Sequence, residues 1–329
     1  MTFPMVPRVL VSSDHILTKE PQDMSAKRIV TLLPSATEIV CELGLRDYIV
    51  GVSHECDYPE GIEQLPHVTS SIIDHNTPSR EIDSAVREQM ASSTPLYTLN
   101  EPLLKELAPD LILTQALCNV CAVSEDEVLS VIERLPGTPD LVNLEPMTLT
   151  EVFDTISLVG RVANCEASAL RYRQSLESRV QKVRNATARI NTDNKPTVGF
   201  IEWIDPLFNA GHWTPEIIEY AGGIDSFGNK HRPSEMISDN TLVEADPDVL
   251  IVALCGLDKE RATSDLESLK ARIDFNALTA VKNGQVYILD GNAYFSRPGP
   301  RLVDGLEILA KLLHPDTAAP PATLPDLTR

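Results

Sequence analysis

The chain has 329 residues, 43% of them hydrophobic, and carries 28 Lys and Arg against 48 Asp and Glu, for a formal net charge of −20. That charge repels phosphate backbones and anionic lipid, which excludes nucleic acid and membrane surfaces as partners. The length exceeds what one hydrophobic core usually serves, so two domains are expected.

No apolar run approaches the roughly 20 residues of a membrane span. Pro4, Pro7 and Arg8, then Ser12-Ser13-Asp14-His15, interrupt the start of the chain. That breaks the apolar stretch of about 7–15 residues that a signal peptide needs. A cytoplasmic protein is therefore expected, with its six cysteines reduced. Residues 1–26 read as a disordered arm.

From Arg28 the pattern is strand, helix, strand. The apolar run 28–33 suits a strand covered on both faces. Pro34-Ser35 opens a helix, with Ser35 as N-cap, Glu38 at capping-box spacing and Gly44 at the C-terminus. A second strand follows at 48–53, then an irregular stretch over 60–95 with a short helix inside it. A helix at 102–107 leads to a strand at 110–115, and a helix at 125–134 to a strand at 140–144. This alternation predicts an α/β lobe over 27–146 with a mostly parallel sheet.

Residues 148–190 hold no proline and a single glycine, Gly160, with Val152, Ile156, Val159 and Ala163 at helical spacing. One helix of about 40 residues would be about 60 Å long, so 147–194 is expected to bridge two lobes; a break near Gly160 or Asn164 is the alternative. Strands at 197–202, 248–253 and 286–289, with helices near 215–221, 259–271 and 301–313, make a second α/β lobe over 195–316. The Pro/Ala/Thr-rich 317–329 reads as a disordered tail.

Several segments carry a family resemblance: 28–38 at the first strand and helix, 50–53 followed by Asp57-Tyr58-Pro59, Glu202-Trp203 through Gly211-His212-Trp213 to Gly222-Gly223, and Arg297-Pro298-Gly299-Pro300-Arg301. In this order the chain resembles the helical-backbone substrate-binding proteins of ABC importers, most closely the cobalamin- and iron-chelate-binding branch. The resemblance spans about 27–316. It implies two Rossmann-like lobes, a long connecting helix and a ligand cleft between the lobes.

It also implies non-enzymatic binding of a corrinoid or other metal chelate. By position, the ligand-facing loops hold Ser35, His54, Glu55, Gln115, Glu202, Trp203, His212, Trp213, Phe295 and Arg297. Importer-docking members present an acidic residue on each lobe, and the nearest positions here are Pro102, beside Glu101, and Asn240. That departure argues against docking to an ABC transporter and for storage, trafficking or sensing.

Two segments after strands carry metal-ligand chemistry, His54-Glu55-Cys56 and Cys118-Asn119-Val120-Cys121. His54, Cys56, Cys118 and Cys121 would suit zinc or another thiophilic metal. A reversible Cys118–Cys121 disulfide of a thiol redox protein, or plain packed thiols, fit the same residues. No nucleophile elbow, P-loop or dinucleotide fingerprint is present.

Overall fold

A computed structural model describes residues 9–10, 28–73, 77–92, 96–115 and 125–316. Cys118 and Cys121 lie outside the described residues, as do 317–329. The chain forms two compact units. Unit 1 takes the described residues of Met1–Asp74, Ala85–Pro146 and Thr150–Arg173; unit 2 takes those of His75–Ser84, Met147–Leu149 and Gln174–Arg329.

In chain order the first unit has strands β1 (Val9–Leu10), β2 (Ile29–Thr31), β3 (Ile49–Val52), β4 (Thr69–Ser71), β5 (Tyr97–Leu99), β6 (Leu111–Thr114) and β7 (Asp140–Asn143). Helices α1 (Pro34–Glu42), α2 (Ser79–Ser92, its part from Ala85 on), α3 (Glu101–Leu107), α4 (Glu125–Ile132) and α5 (Leu149–Val162, from Thr150 on) intervene or follow. The main sheet has order β1-β7-β6-β2-β3, and every pair in it is parallel. All four residues of β6 are buried, as expected of a strand with helices on both faces. Val30, Leu32, Ile112 and Leu141 pack in one core with Leu104 and Leu107 of α3 and Val128, Val131 and Ile132 of α4. β4, inside the segment expected to be irregular, and β5, just after it, form a separate antiparallel pair.

Two expectations are corrected here. The predicted disordered arm contributes β1, with Val9 opposite Leu141 and Leu10 opposite Val142, covering the otherwise open edge of β7. The single bridging helix is two helices, α5 and α6 (Glu166–Thr187). Asn164 turns left-handed at φ 54. The Cys165 N–H bonds the Gly160 carbonyl at 2.7 Å and the Asn164 N–H bonds the Arg161 carbonyl at 3.2 Å, a Schellman ending. Gly160 permits the turn: a Cβ there would lie 2.3 Å from the Ala169 Cβ of α6. The apolar stripe itself is as read, with Val152, Ile156 and Val159 fully buried.

Unit 2 has strands β8 (Thr197–Trp203), β9 (Phe208–Asn209), β10 (Gly211–His212), β11 (Ile224–Asp225), β12 (Asn229–Lys230), β13 (Val249–Val252) and β14 (Val286–Ile288). Its helices after α6 are α7 (Thr214–Tyr220), α8 (Asp239–Ala245), α9 (Lys259–Arg272), α10 (Thr279–Lys282), α11 (Gly291–Tyr294) and α12 (Leu302–Leu313). The sheet runs β11-β8-β13-β14 in parallel, with β9 antiparallel on β8. Gly222 ends α7 in a left-handed conformation at φ 87. Arg179 of α6 clamps α12 through Asp304 at 2.5 Å and Glu307 at 2.7 Å.

The units repeat one local device at equal spacing. Asn100 caps α3 by accepting the Leu103 N–H, and Ser238 caps α8 by accepting the Thr241 N–H. Each helix begins with an acid, Glu101 or Asp239, and ends in a left-handed residue, Ala108 at φ 41 or Asp246 at φ 36. Pro-Asp follows in both, and each Asp side chain accepts the N–H of a residue opening the neighbouring strand, Asp110 from Arg28 and Asp248 from Thr197, both at 2.8 Å. Each acid is held by an arginine 33 residues later, Arg134 on Glu101 and Arg272 on Asp239.

Candidate functional site

In both parallel sheets the polar side chains of interest fall after the carboxyl ends of strands, where such sheets bind ligands. In unit 1, His54 follows β3. Its backbone N–H donates to the Thr69 hydroxyl at 3.0 Å, and the same hydroxyl lies 2.7 Å from Nδ1. Nε2 stands 4.0 Å from Glu55 Oε1. Tyr97 of β5 completes the group: its ring packs on His54 with centroids 5.5 Å apart, and its hydroxyl donates to Glu55 Oε1 at 3.3 Å. Thr69 and Tyr97 were missed in the sequence because they sit on the strand pair β4–β5, one strand of which lies within and the other just after the stretch expected to be irregular.

Cys56 goes elsewhere. It is buried, with its sulfur 3.1 Å from the Thr37 hydroxyl, which lies 2.6 Å from that of Thr31. His54 and Cys56 thus turn to different partners. Among the described residues no three His, Cys, Asp or Glu side chains gather as a metal site.

Ser35 is buried in the first turn of α1 and is not its cap; Leu33 occupies that position in extended conformation without a side-chain hydrogen bond. Burial pushes the Cys41 thiol of α1 up to about 11. Gln115 follows β6 and is also buried.

In unit 2, Glu202 lies near the end of β8. Its carboxylate accepts the Gly211 N–H at 3.1 Å. Burial pushes it up to about 7, against the opposing hydrogen bonds of Gly211, Ser234 and Thr214. His212 adopts a left-handed backbone at φ 51. Its ring lies against Trp213, centroids 5.3 Å apart, and burial lowers its pKa.

Two of the aromatic candidates, Trp213 and Phe295, are 5% and 3% exposed. The Trp213 indole N–H donates to the Phe295 carbonyl at 2.8 Å, and the Phe295 ring meets Phe200 edge-on at 5.2 Å. Both sides of that pair are therefore spent on packing. Trp203 is partly exposed and donates to the Asp205 carbonyl at 3.2 Å. Arg297 and Arg301 lie near Asp290, whose carboxylate caps α11 at Ala293 and is raised chiefly by burial. Cys255 is exposed after β13.

Beside the positions Pro102 and Asn240, Glu101 and Asp239 open α3 and α8, each directly after a capping residue, Asn100 or Ser238.

The sequence matches the family described as Periplasmic binding protein over residues 29–293. It is 26% identical over 328 residues to an uncharacterized ABC transporter substrate-binding lipoprotein, YvrC, of Bacillus subtilis, covering 96% of this chain and 87% of that one. It is 27% identical over 286 residues to a vitamin B12-binding protein of Vibrio cholerae, covering 86% and 87%. Among solved structures, the fold is similar to the periplasmic heme-binding protein RhuT from Roseiflexus sp. RS-1, with TM-score 0.66 and 20% identity over 88% of this chain and 99% of that one. The expected cytoplasmic residence finds no support in these relatives, one of which is a lipoprotein. No helix among the described residues is long and apolar enough to cross a membrane.

Proposed function

Because the chain belongs to the periplasmic binding protein family, we propose that it captures a metal chelate, a cobalamin-like corrinoid or a related macrocycle, without chemical conversion. The observation that carries the reading is the chemistry at the sheet ends. Both sheets finish at their carboxyl ends in polar and aromatic side chains, His54 and Glu55 in unit 1, met by Tyr97 of β5, and Glu202 and Trp203 in unit 2, with His212 of β10 beyond Gly211, whose N–H Glu202 accepts. Rings of this kind take up the flat face of a macrocycle by dispersion, and the polar groups fix its edge. The relatives' vitamin B12 and heme support this ligand class.

The matched acids Glu101 and Asp239 support delivery to an ABC importer rather than storage, in line with the transporter-associated relative. The test is an absorbance titration of the purified protein with cobalamin and, separately, with heme. A saturable one-to-one complex with either supports the reading, and no spectral change with both overturns it. A Glu101→Lys/Asp239→Lys variant should bind the chelate normally and lose transporter-dependent uptake.

A further inference from the structure

In unit 2 a buried carboxyl meets the turn that carries His212. That turn is meshed with the segment 229–235. β10 pairs with β12, Gly211 opposite Asn229 and His212 opposite Lys230. The His212 N–H donates to the Arg232 carbonyl at 2.6 Å, and the His231 N–H to the His212 carbonyl at 2.9 Å. Both histidines adopt a left-handed backbone, at φ 51 and φ 60, which persists in a residue with a side chain only where its surroundings enforce it. Gly211 admits no side chain, because a Cβ there would run into the backbone of Pro233 and Ser234. Glu202 holds the centre of this junction through the Gly211 N–H at 3.1 Å. The other groups acting on its carboxyl are the uncharged Ser234 and Thr214 side chains. Thr214 Oγ1 is buried and has no other partner; a neutral carboxyl brings it an O–H, and an ionised one does not. Charged groups on the surrounding segments are engaged elsewhere or exposed. His231 faces Glu216 at 3.6 Å, Lys230 pairs with Glu219 at 2.5 Å and Asp205 faces Arg272 at 3.9 Å. Arg232 and Glu235 are exposed, as is Cys255, whose N–H donates to the Glu202 carbonyl at 2.9 Å.

Resting on the chelate-binding reading, we propose that Glu202 is a positioning residue worked by one proton: neutral, it holds the Gly211–Trp213 turn and with it the His212 ring in the arrangement that receives ligand, and ionised, it releases that turn. Losing the proton leaves a buried carboxylate with no cation beside it, and the site must open to hydrate the charge. Burial sets that loss at about 7. It also lowers His212 below its ordinary 6.5, so the two titrations are separate. The sign follows: affinity is full well below about 7 and declines as pH rises through it.

The test measures the affinity of the full-length protein for cobalamin and for heme from about pH 6 to about pH 8.5, with Glu202→Gln in parallel. If only the neutral form binds, the competent fraction falls from about 90% to about 3% over that range, and the native affinity weakens about thirtyfold. Glu202→Gln has no proton to lose and should flatten the profile; the ratio of the two proteins cancels any titration of the chelate itself. In the unliganded protein, the Gly211 amide resonance should shift with a midpoint of about 7 and stop doing so in Glu202→Gln. A residue that only fills space would move neither readout. Parallel affinity profiles for the two proteins, or a Gly211 amide that does not titrate, overturn the proposal and leave the chelate reading intact. If neither chelate binds, the chelate reading falls, and the role of Glu202 in ligand binding falls with it even where Gly211 titrates.

Discussion

The pH dependence of stability isolates Glu202. Its carboxyl is buried against the Gly211 N–H, and burial raises it from an ordinary 4.5 to about 7. Between those values the native protein holds a proton that the unfolded chain has released. Stability from this group is therefore full below about 4.5 and is lost as pH rises through about 7. The distance from 4.5 to about 7 corresponds to about 3 kcal/mol, at about 1.4 kcal/mol per pH unit. Glu202→Gln keeps an acceptor for Gly211 and has no proton to lose. In urea unfolding across pH 4.5–8, the variant should gain about 3 kcal/mol relative to the native sequence, most of it inside that window. Taking the difference removes Asp225, which burial also raises, to about 6. Parallel curves for the two proteins would refute the reasoning, because they would mean that Glu202 ionises in the folded state at no cost.

Two further outcomes concern packing. Gly160→Ala places a Cβ 2.3 Å from that of Ala169 and should cost about 1–3 kcal/mol through overpacking; the exchanged pair Gly160→Ala/Ala169→Gly should recover most of it in thermal melts. Trp213→Phe removes the donor to the Phe295 carbonyl and should cost about 1–3 kcal/mol, with cobalamin or heme affinity in the folded variant within about twofold, since the ring packs inward.

The fold was legible because its strands are unusually plain. The runs at 110–115 and 248–253 have continuous apolar centres, 111–113 and 249–253, and β6 and β13 bury every residue, as central parallel strands must. Asn164 was harder to read: a polar residue in a proline-free segment allows either a continuous helix or a stop. Only the close approach at Gly160 and the Schellman bonds choose the stop. The helix starts at Glu101 and Asp239 were not read because Pro102 and Asn240 beyond them are poor helix formers. The hydrogen bonds of the two caps set the frame.

Order along the chain determined the lobes, their parallel sheets and the rims from which His54, Glu55, Gln115 and Glu202 project, because hydrophobic periodicity and turn chemistry act over a few residues. Which of the named side chains are committed to packing was decided by tertiary structure. Cys56 lies under Thr37, Trp213 against the Phe295 carbonyl, and Thr69 and Tyr97 come to His54 from 15 and 43 residues away. Burial and hydrogen-bond satisfaction depend on what the rest of the chain brings to a point in space, and nothing in the local pattern encodes that.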